Sequence, residues 1–439
     1  MPDNTVSQMG RIILEGKIKL LSPAIIGSGK DENSDVDVLR NSEGKTYIPA
    51  TSFCGVLRHS IKIDKSLKEK LERFWGSSHN EEGFQKQSSI IVDDLLPDND
   101  TMVVIRDGVK IDNKRGIAED KKKFDYEVIE PNSTFNLKIE IPLDGNDDEF
   151  KKRMLATIIE FLKNEKIRIG AKTNNGFGRI QLSDYKLFIF DFKNKKDVLR
   201  WFKHDFSETS ELNATPFEIN QRDFTITADF IIRNSLIVRS YNYDPNKPDI
   251  EHIKSNGKPV LPGTSLKGSI RARAERIINT LGKNQSIIDE LFGTVNENEG
   301  SAKKGRIIVY ETIINGYSEE VQTRLKIDRF TGGAIEGALL ETKPLFRTQE
   351  SKNLRINIKI TNYQDHEASL MLLVLKDLWT GDLPVGGEKA VGRGVFEGKK
   401  AIIYCNGNKI ADFENTNQLN DEQKALVQSF VTSLVNHGR

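Results

Sequence analysis

"YIPATSFCGVLRHSI", Tyr47 to Ile61, and "VLPGTSLKGSIRARAERI", Val260 to Ile277, carry one pattern twice: a short apolar run, a proline, a Thr-Ser pair and then a basic segment. A proline with fixed φ suits a helix start, and hydroxyls just behind it can accept from free backbone N–H groups. Each stretch is therefore predicted to open a helix, with Thr51 or Ser52 and Thr264 or Ser265 as caps. The match continues outward in constant order. Pro49, Thr51, Ser52 and Gly55 fall on Pro262, Thr264, Ser265 and Gly268, 213 residues apart. Gly76 falls on Gly293, 217 apart; "KID" at 110–112 falls on "KID" at 326–328, and Gly178 on Gly394, both 216 apart. A period near 215 residues is too long for a solenoid, so a whole domain has been duplicated in tandem.

Both halves read alike. "RIILEGKIKLLS" and "DFTITADFIIRNSL" are strand-rich, the Pro-x-Thr-Ser segments are helices, and "SIIVDDLL" and "RIIVYETII" are strands. "TFNLKIEIPL" and "LRINIKITN" alternate as half-buried strands. The helices that follow put Phe150, Met154, Ile158, Phe161 and Leu162, and Ala368, Met371, Leu372, Leu375 and Trp379, on one face. Closing strands at "FGRIQL" and "RGVFEG" complete strand-helix-strand twice over. The fold class is α+β: two tandem ferredoxin-like (RRM-like) domains. The expected divisions are a first domain over 1–195, a polar linker over 196–222, a second domain over 223–400, and a tail over 401–439 with an amphipathic helix from Asp421 to Val435. The length beyond two such cores is assigned to insertions over 77–130 and 294–350.

Composition excludes several classes. The 65 basic and 64 acidic residues leave a net charge of +1, so any polyanion site must be local. Two cysteines, Cys54 and Cys405, and six scattered histidines give no structural transition-metal site. With no signal-like start and no apolar run long enough to span a bilayer, a soluble cytoplasmic protein with no membrane partner is expected.

Three features point to chemistry. Lys267 and Arg271 stand one turn apart, as do Arg58 and Lys62, with Arg273 and Arg276 nearby; beside a helix N-terminus these suit phosphate. Glycine-rich "GAKTNNGFG" and "GGEKAVGRG", flanked by Lys172, Arg179, Lys389 and Arg393, would let another backbone approach a bare strand face. Asp35 with Asp37, and Asp249 with Glu251, stand two apart in extended chain, so each pair projects to one side. Acids beside a phosphate site suggest metal binding or activation of a hydroxyl, although solvated loop charges would read the same.

"DVDVLR", the glycine turn, "YIPATS" and the later Gly-x-Gly strand, with "DIEHIK" and "LPGTSLKGSIR" in the second half, resemble the RAMP superfamily of CRISPR effector proteins. The resemblance is strongest to the backbone subunits of type III complexes, and the tandem arrangement is similar to type III-D assemblies with fused subunits. "KIDRFTGGAIEGALLETKPLF" and "KIDNKRGIAEDKKKFDYEVI" resemble the family's thumb hairpin.

This resemblance implies a guide-RNA-binding subunit whose thumbs wedge into the guide–target duplex. Its partners would be a CRISPR guide RNA, a complementary target RNA and other type III effector subunits. It implies Asp35 and Asp249 as endoribonuclease catalytic residues holding Mg²⁺ or another divalent cation, with Asp37 and Glu251 as secondary acids. The RNA-binding set is Arg40, Ser52, Arg58, Lys62, Lys172, Arg179, Lys254, Ser265, Lys267, Arg271, Arg273, Lys389 and Arg393. In the first half Ala50 and Cys54 depart from the family's Gly and Lys. The rival readings are a scaffold that binds guide RNA without cutting, and a guide-processing endonuclease built on His59, whose counterpart is Ala272.

Overall fold

The computed structural model describes residues 9–29, 36–77, 87–112, 115–219, 221–242, 244–296, 301–414 and 421–437. The chain divides into two compact units. One comprises Met1–Ile105, Asp125–Ala171 and Gly178–Asn220; the other comprises Arg106–Phe124, Lys172–Phe177 and Gln221–Arg439. Two segments of the first sequence repeat thus belong to the second unit.

In the first unit, β1 (Gly10–Leu20), α1 (Ala50–Ser60), β2 (Ile91–Val92), β5 (Thr134–Leu143), α2 (Asp148–Lys163) and β6 (Ile180–Asp191) form the core. Between β2 and β5 in sequence comes a hairpin of β3 (Val103–Asp112) and β4 (Ile117–Ile129), of which Arg106–Phe124 belongs to the second unit. The sheet order is β2-β5-β1-β6, with every pair antiparallel. That is the ferredoxin-like order, reached because alternating Ile12, Leu14 and Ile18 must be covered by helices on one face. All five residues expected on the apolar face of α2 are buried.

The opposite sheet face of this unit is closed by the segment expected as a linker. Helix α3 (Lys195–Phe202) and the chain after it lay Trp201 and Phe206 against Ile13, Phe188 and Phe190. Farther along, the Phe217 ring packs tilted against Phe150 with centroids 5.4 Å apart, and its amide donates to Thr157 Oγ1 at 2.9 Å. Residues 196–219 are therefore a strap whose aromatics complete the core, a role that their polar composition hides.

In the second unit, β7 (Asp223–Ile232) follows the same rule: Phe224, Ile226, Ala228, Phe230 and Ile232 alternate into the core. Here too lie β8 (Ile250–His252), α4 (Gly263–Thr280), β9 (Ile307–Val309), the hairpin β10 (Gln322–Ile327) and β11 (Ala334–Lys343), β12 (Leu354–Thr361), α5 (Asp365–Thr380), β13 (Phe396–Cys405), β14 (Asn408–Glu414) and α6 (Asp421–Asn436). The order β9-β12-β7-β13-β14 repeats the first sheet and adds one strand. The sheet runs on to Glu414, past the boundary expected at residue 400, because Lys400 to Cys405 pair with Asn408 to Glu414. Phe430 and Leu434 of α6 are buried in the same core.

The glycine-rich turns are built alike in both halves. A Cβ on Gly178 would lie 1.8 Å from Ile169 O, and one on Gly394 1.8 Å from Val385 O, both at positive φ. The backbone that approaches these bare positions is the protein's own, which corrects the expectation that they expose a strand face to a ligand.

Candidate nucleic-acid interface

Both helices open on a proline in extended conformation, Pro49 at φ −59° and Pro262 at φ −65°, and neither has a side-chain cap. The hydroxyls expected as caps sit inside the first turn, leaving Ser52 exposed and Ser265 half-buried. In the first half the amide of Ala50 donates instead to Asp94 Oδ1 at 2.7 Å. A carboxylate thus already sits at that helix start. Helix α1 ends at Ser60, so Lys62 lies beyond it, while Arg58 is exposed on the helix. His59 is also exposed there.

One face recurs in both copies. Ser52, Gly55 and Arg58 are spaced three apart on α1, as Ser265, Gly268 and Arg271 are on α4, so each triplet forms one stripe. Gly55 and Gly268 are both exposed, and a Cβ on either would meet nothing within 4 Å. The stripes are open surfaces on which a polyanion backbone can lie close to the helix.

Lys267, on the same helix, is largely desolvated, and its neighbours Arg271 and Lys304 add repulsion; its ammonium is pushed down to about 8. Lys172, in the second unit, also falls to about 8 through burial, with its ammonium 4.5 Å from the centre of the Phe124 ring. Cys54 occupies the position equivalent to Lys267, and burial raises its thiol to about 11, so it stays neutral. An anion that touched Lys172 and Lys267 would restore their protonation. RNA affinity should therefore be greatest below pH 8 and fall above it, with a limiting slope of about −2 in log K per pH unit for two lysines. Fluorescence anisotropy from pH 6.5 to 9.5 checks this: Lys267→Arg should halve the slope, and a flat profile in the wild type contradicts the contact.

Several expected RNA-binding cations are engaged within the protein. Arg40 makes two bonds to Glu127, at 2.8 and 3.0 Å, and Glu127 also accepts from the Val38 amide at 3.0 Å. Lys254 pairs with Glu319 at 2.9 Å, and Arg271 with Glu275 at 2.9 Å. Arg179 pairs with Glu165, and Arg273 on α4 with Asp377 on α5. Arg393 is buried at 3% exposure among Glu388, Ser235 and Gln322. Arg273 and Arg393 thus serve as internal struts, which corrects their placement on a phosphate-binding face. Lys389 is exposed.

Of the acids, Asp35 lies outside the described residues. Asp37, expected as a secondary acid, is buried at 5% exposure, which rules out the solvated loop charge as its reading. Asp249 is exposed, and its Oδ2 accepts from the Glu341 amide of β11 at 2.8 Å. Glu251 stands on the same side of β8, with one oxygen 3.9 Å from Lys343 Nζ, while Ile250 between them is buried. The register of the acid loops explains the one-residue mismatch between the halves. Arg40 bridges Thr46 and Lys254 pairs with Pro259, so the second turn is one residue shorter and Arg40 aligns with Lys254. His252 is 2% exposed; it accepts from the Val238 amide through Nδ1 and donates to Val260 O through Nε2. Burial holds it down to about 4, a neutral structural imidazole. Among the described residues no three His, Cys, Asp or Glu side chains converge as a metal cluster.

The second hairpin carries a feature that sequence reasoning passed over. Phe330, in the turn between β10 and β11, is wholly exposed, and Leu325, Ile327 and Leu339 on the strands are more than half exposed. An aromatic inside the turn "DRFTGG" was the available signal.

Two ferredoxin-like repeats, each carrying in sequence a basic helix, a glycine-rich turn and a long hairpin, define a tandem RRM-like protein. The family model of the RAMP superfamily matches residues 17–181 and 234–397. The chain belongs to the RAMP superfamily, and membership makes it a CRISPR-associated RNA-binding subunit that joins an effector complex. No curated protein matches the chain. Among the described residues no helix is long and apolar enough to cross a membrane.

Proposed function

We propose that the protein is the guide-RNA-binding backbone subunit of a type III CRISPR interference complex, its two halves gripping consecutive stretches of one guide. The observation that carries this reading is the open Ser-x-x-Gly-x-x-Arg stripe, present on both α1 and α4. The hairpins act as thumbs, and exposed Phe330 offers a ring to unstack a base of the guide–target duplex.

Cleavage of the target is assigned to Asp35 and Asp249. RNA supplies its own nucleophile, the 2′-hydroxyl, so the protein must hold the backbone in line and accept one proton. Asp249 Oδ2 accepts from the Glu341 amide, which fixes the carboxylate and leaves Oδ1 for that proton or for a cation. One carboxylate with RNA phosphate oxygens is a sufficient donor set for Mg²⁺, so Asp249 fits as its protein ligand, and Asp35 is assigned the same role from its matching place in the sequence. When bound, the cation would neutralise charge developing on the phosphate. The same hydrogen bond to Glu341 favours the second reading, in which Asp249 only braces the hairpin of a non-cleaving scaffold.

The two readings separate in the guide-loaded complex, given end-labelled complementary RNA and Mg²⁺. Asp35→Ala and Asp249→Ala should each erase one distinct product, with guide binding intact. Unchanged products from both variants support the scaffold.

A further inference from the structure

Around Glu388 the second unit holds more positive charge than its own structure uses. The Glu388 carboxylate is 4% exposed, and Oε2 receives Arg393 Nε at 2.7 Å and an Arg324 guanidinium nitrogen at 2.7 Å. Arg239 stands 3.9 Å from Oε1, beyond hydrogen-bond range, and Oε1 has no hydrogen-bond partner among the described residues. The buried pair of Glu388 and Arg393 is neutral by itself. Arg239 and Arg324, 41% and 35% exposed, are therefore a surplus of two positive charges at the rim. Arg239 also lies over Gly387, where a Cβ would come 3.2 Å from its Nε, so the glycine lets the guanidinium seat against the turn.

The first half lacks this arrangement. Lys172 and Glu388 both take left-handed conformations ahead of matching 3₁₀ turns. Gly170 faces Ile25 O as Gly386 faces Ile237 O, which sets Gly27 against Arg239; the "KID" register sets Gly108 against Arg324. Two arginines and a glutamate thus replace two glycines and a lysine on one backbone frame. Structural upkeep of the turn does not require them, because the first copy keeps the same turn without them.

We propose that Arg239 and Arg324 form a phosphodiester-binding clamp specific to the second half, with Glu388 as a positioning residue that holds Arg324 in place. Planar guanidinium groups suit phosphate oxygens, and the neutral pair beneath fixes one of them in advance. The inference rests on the RNA-binding reading and gives the two halves unequal grips on the guide.

The test uses the full chain and single-stranded RNA, with affinity followed against salt. Arg239→Gln/Arg324→Gln should lower the slope of log K against log salt by about 1.4, from two lost phosphate contacts at about 0.7 each. If Arg324→Gln impairs folding, Arg239→Gln alone should lower it by about 0.7. Glu388→Gln, with the arginines kept, should lower the slope by up to about 0.7, the contact of an Arg324 no longer held in place. A wild-type slope in the folded double variant overturns the clamp. Thermal stabilisation of the wild type by inorganic phosphate that the double variant loses, with the RNA slope unchanged, assigns the arginines to a free anion and also overturns it. Failure of the wild type to bind RNA at all contradicts the RNA-binding reading instead.

Discussion

Arg106→Ala should destabilise the second unit by about 3–5 kcal/mol, the range for removing one partner of a buried ion pair. Arg106, 2% exposed, meets Glu311 at 2.6 and 3.3 Å. Without it the carboxylate, 7% exposed in its side chain, would remain in a poorly solvated site with no cation to offset its charge. The position of Glu311 corresponds to Asp94, which in the first half accepts from the first amide of α1. In the second half that acid is diverted to an arginine on β3, a strand of the first repeat. The two sequence repeats are therefore not interchangeable folding units. Replacing both partners, as Arg106→Met/Glu311→Met, should recover most of the loss, because the penalty comes from the stranded charge. Denaturant unfolding of wild type, single and double variants decides this. Equal stability of Arg106→Ala and wild type contradicts it.

The fold was legible because the duplication supplies two copies of every signal. The alternating residues of β1 and β7, the apolar face of α2 and the helix starts after Pro49 and Pro262 lie where the sequence places them. On α5 the buried face turns toward Leu370, Val374 and Leu378 and leaves Leu372 and Trp379 half-buried. Long-range pairing was not legible. Nothing local to Arg273 shows that Asp377, on another helix, will hold it, and a charged residue such as Arg106 reads as solvated. Strand β14 and the strap over 196–219 were missed for a related reason: short polar sequences fold on surfaces that the rest of the chain supplies. The glycine pairs were read correctly as close approaches, but periodicity does not reveal whose backbone approaches. At the candidate site the stripes on α1 and α4 were partly visible as basic helix faces. Their openness at Gly55 and Gly268 emerges only once the surrounding chain is in place.

That openness makes the RNA-binding claim separable from folding. Glycine inside a helix is unfavourable by about 0.8–1.0 kcal/mol relative to alanine, and glutamate is a good helix former, so Gly55→Glu and Gly268→Glu should leave stability unchanged or raise it slightly. Each substitution fills a bare face and sets a carboxylate where a phosphate must pass. A like-charge clash of this kind costs several kcal/mol, so the double variant should lose RNA affinity by about a hundredfold or more. The decisive measurement is the affinity of Gly55→Glu/Gly268→Glu for guide-length single-stranded RNA, beside its melting temperature. A melting temperature at or above wild type with RNA binding lost is the predicted result. An equally stable protein that binds RNA as the wild type does would show that the guide does not lie on these two helices.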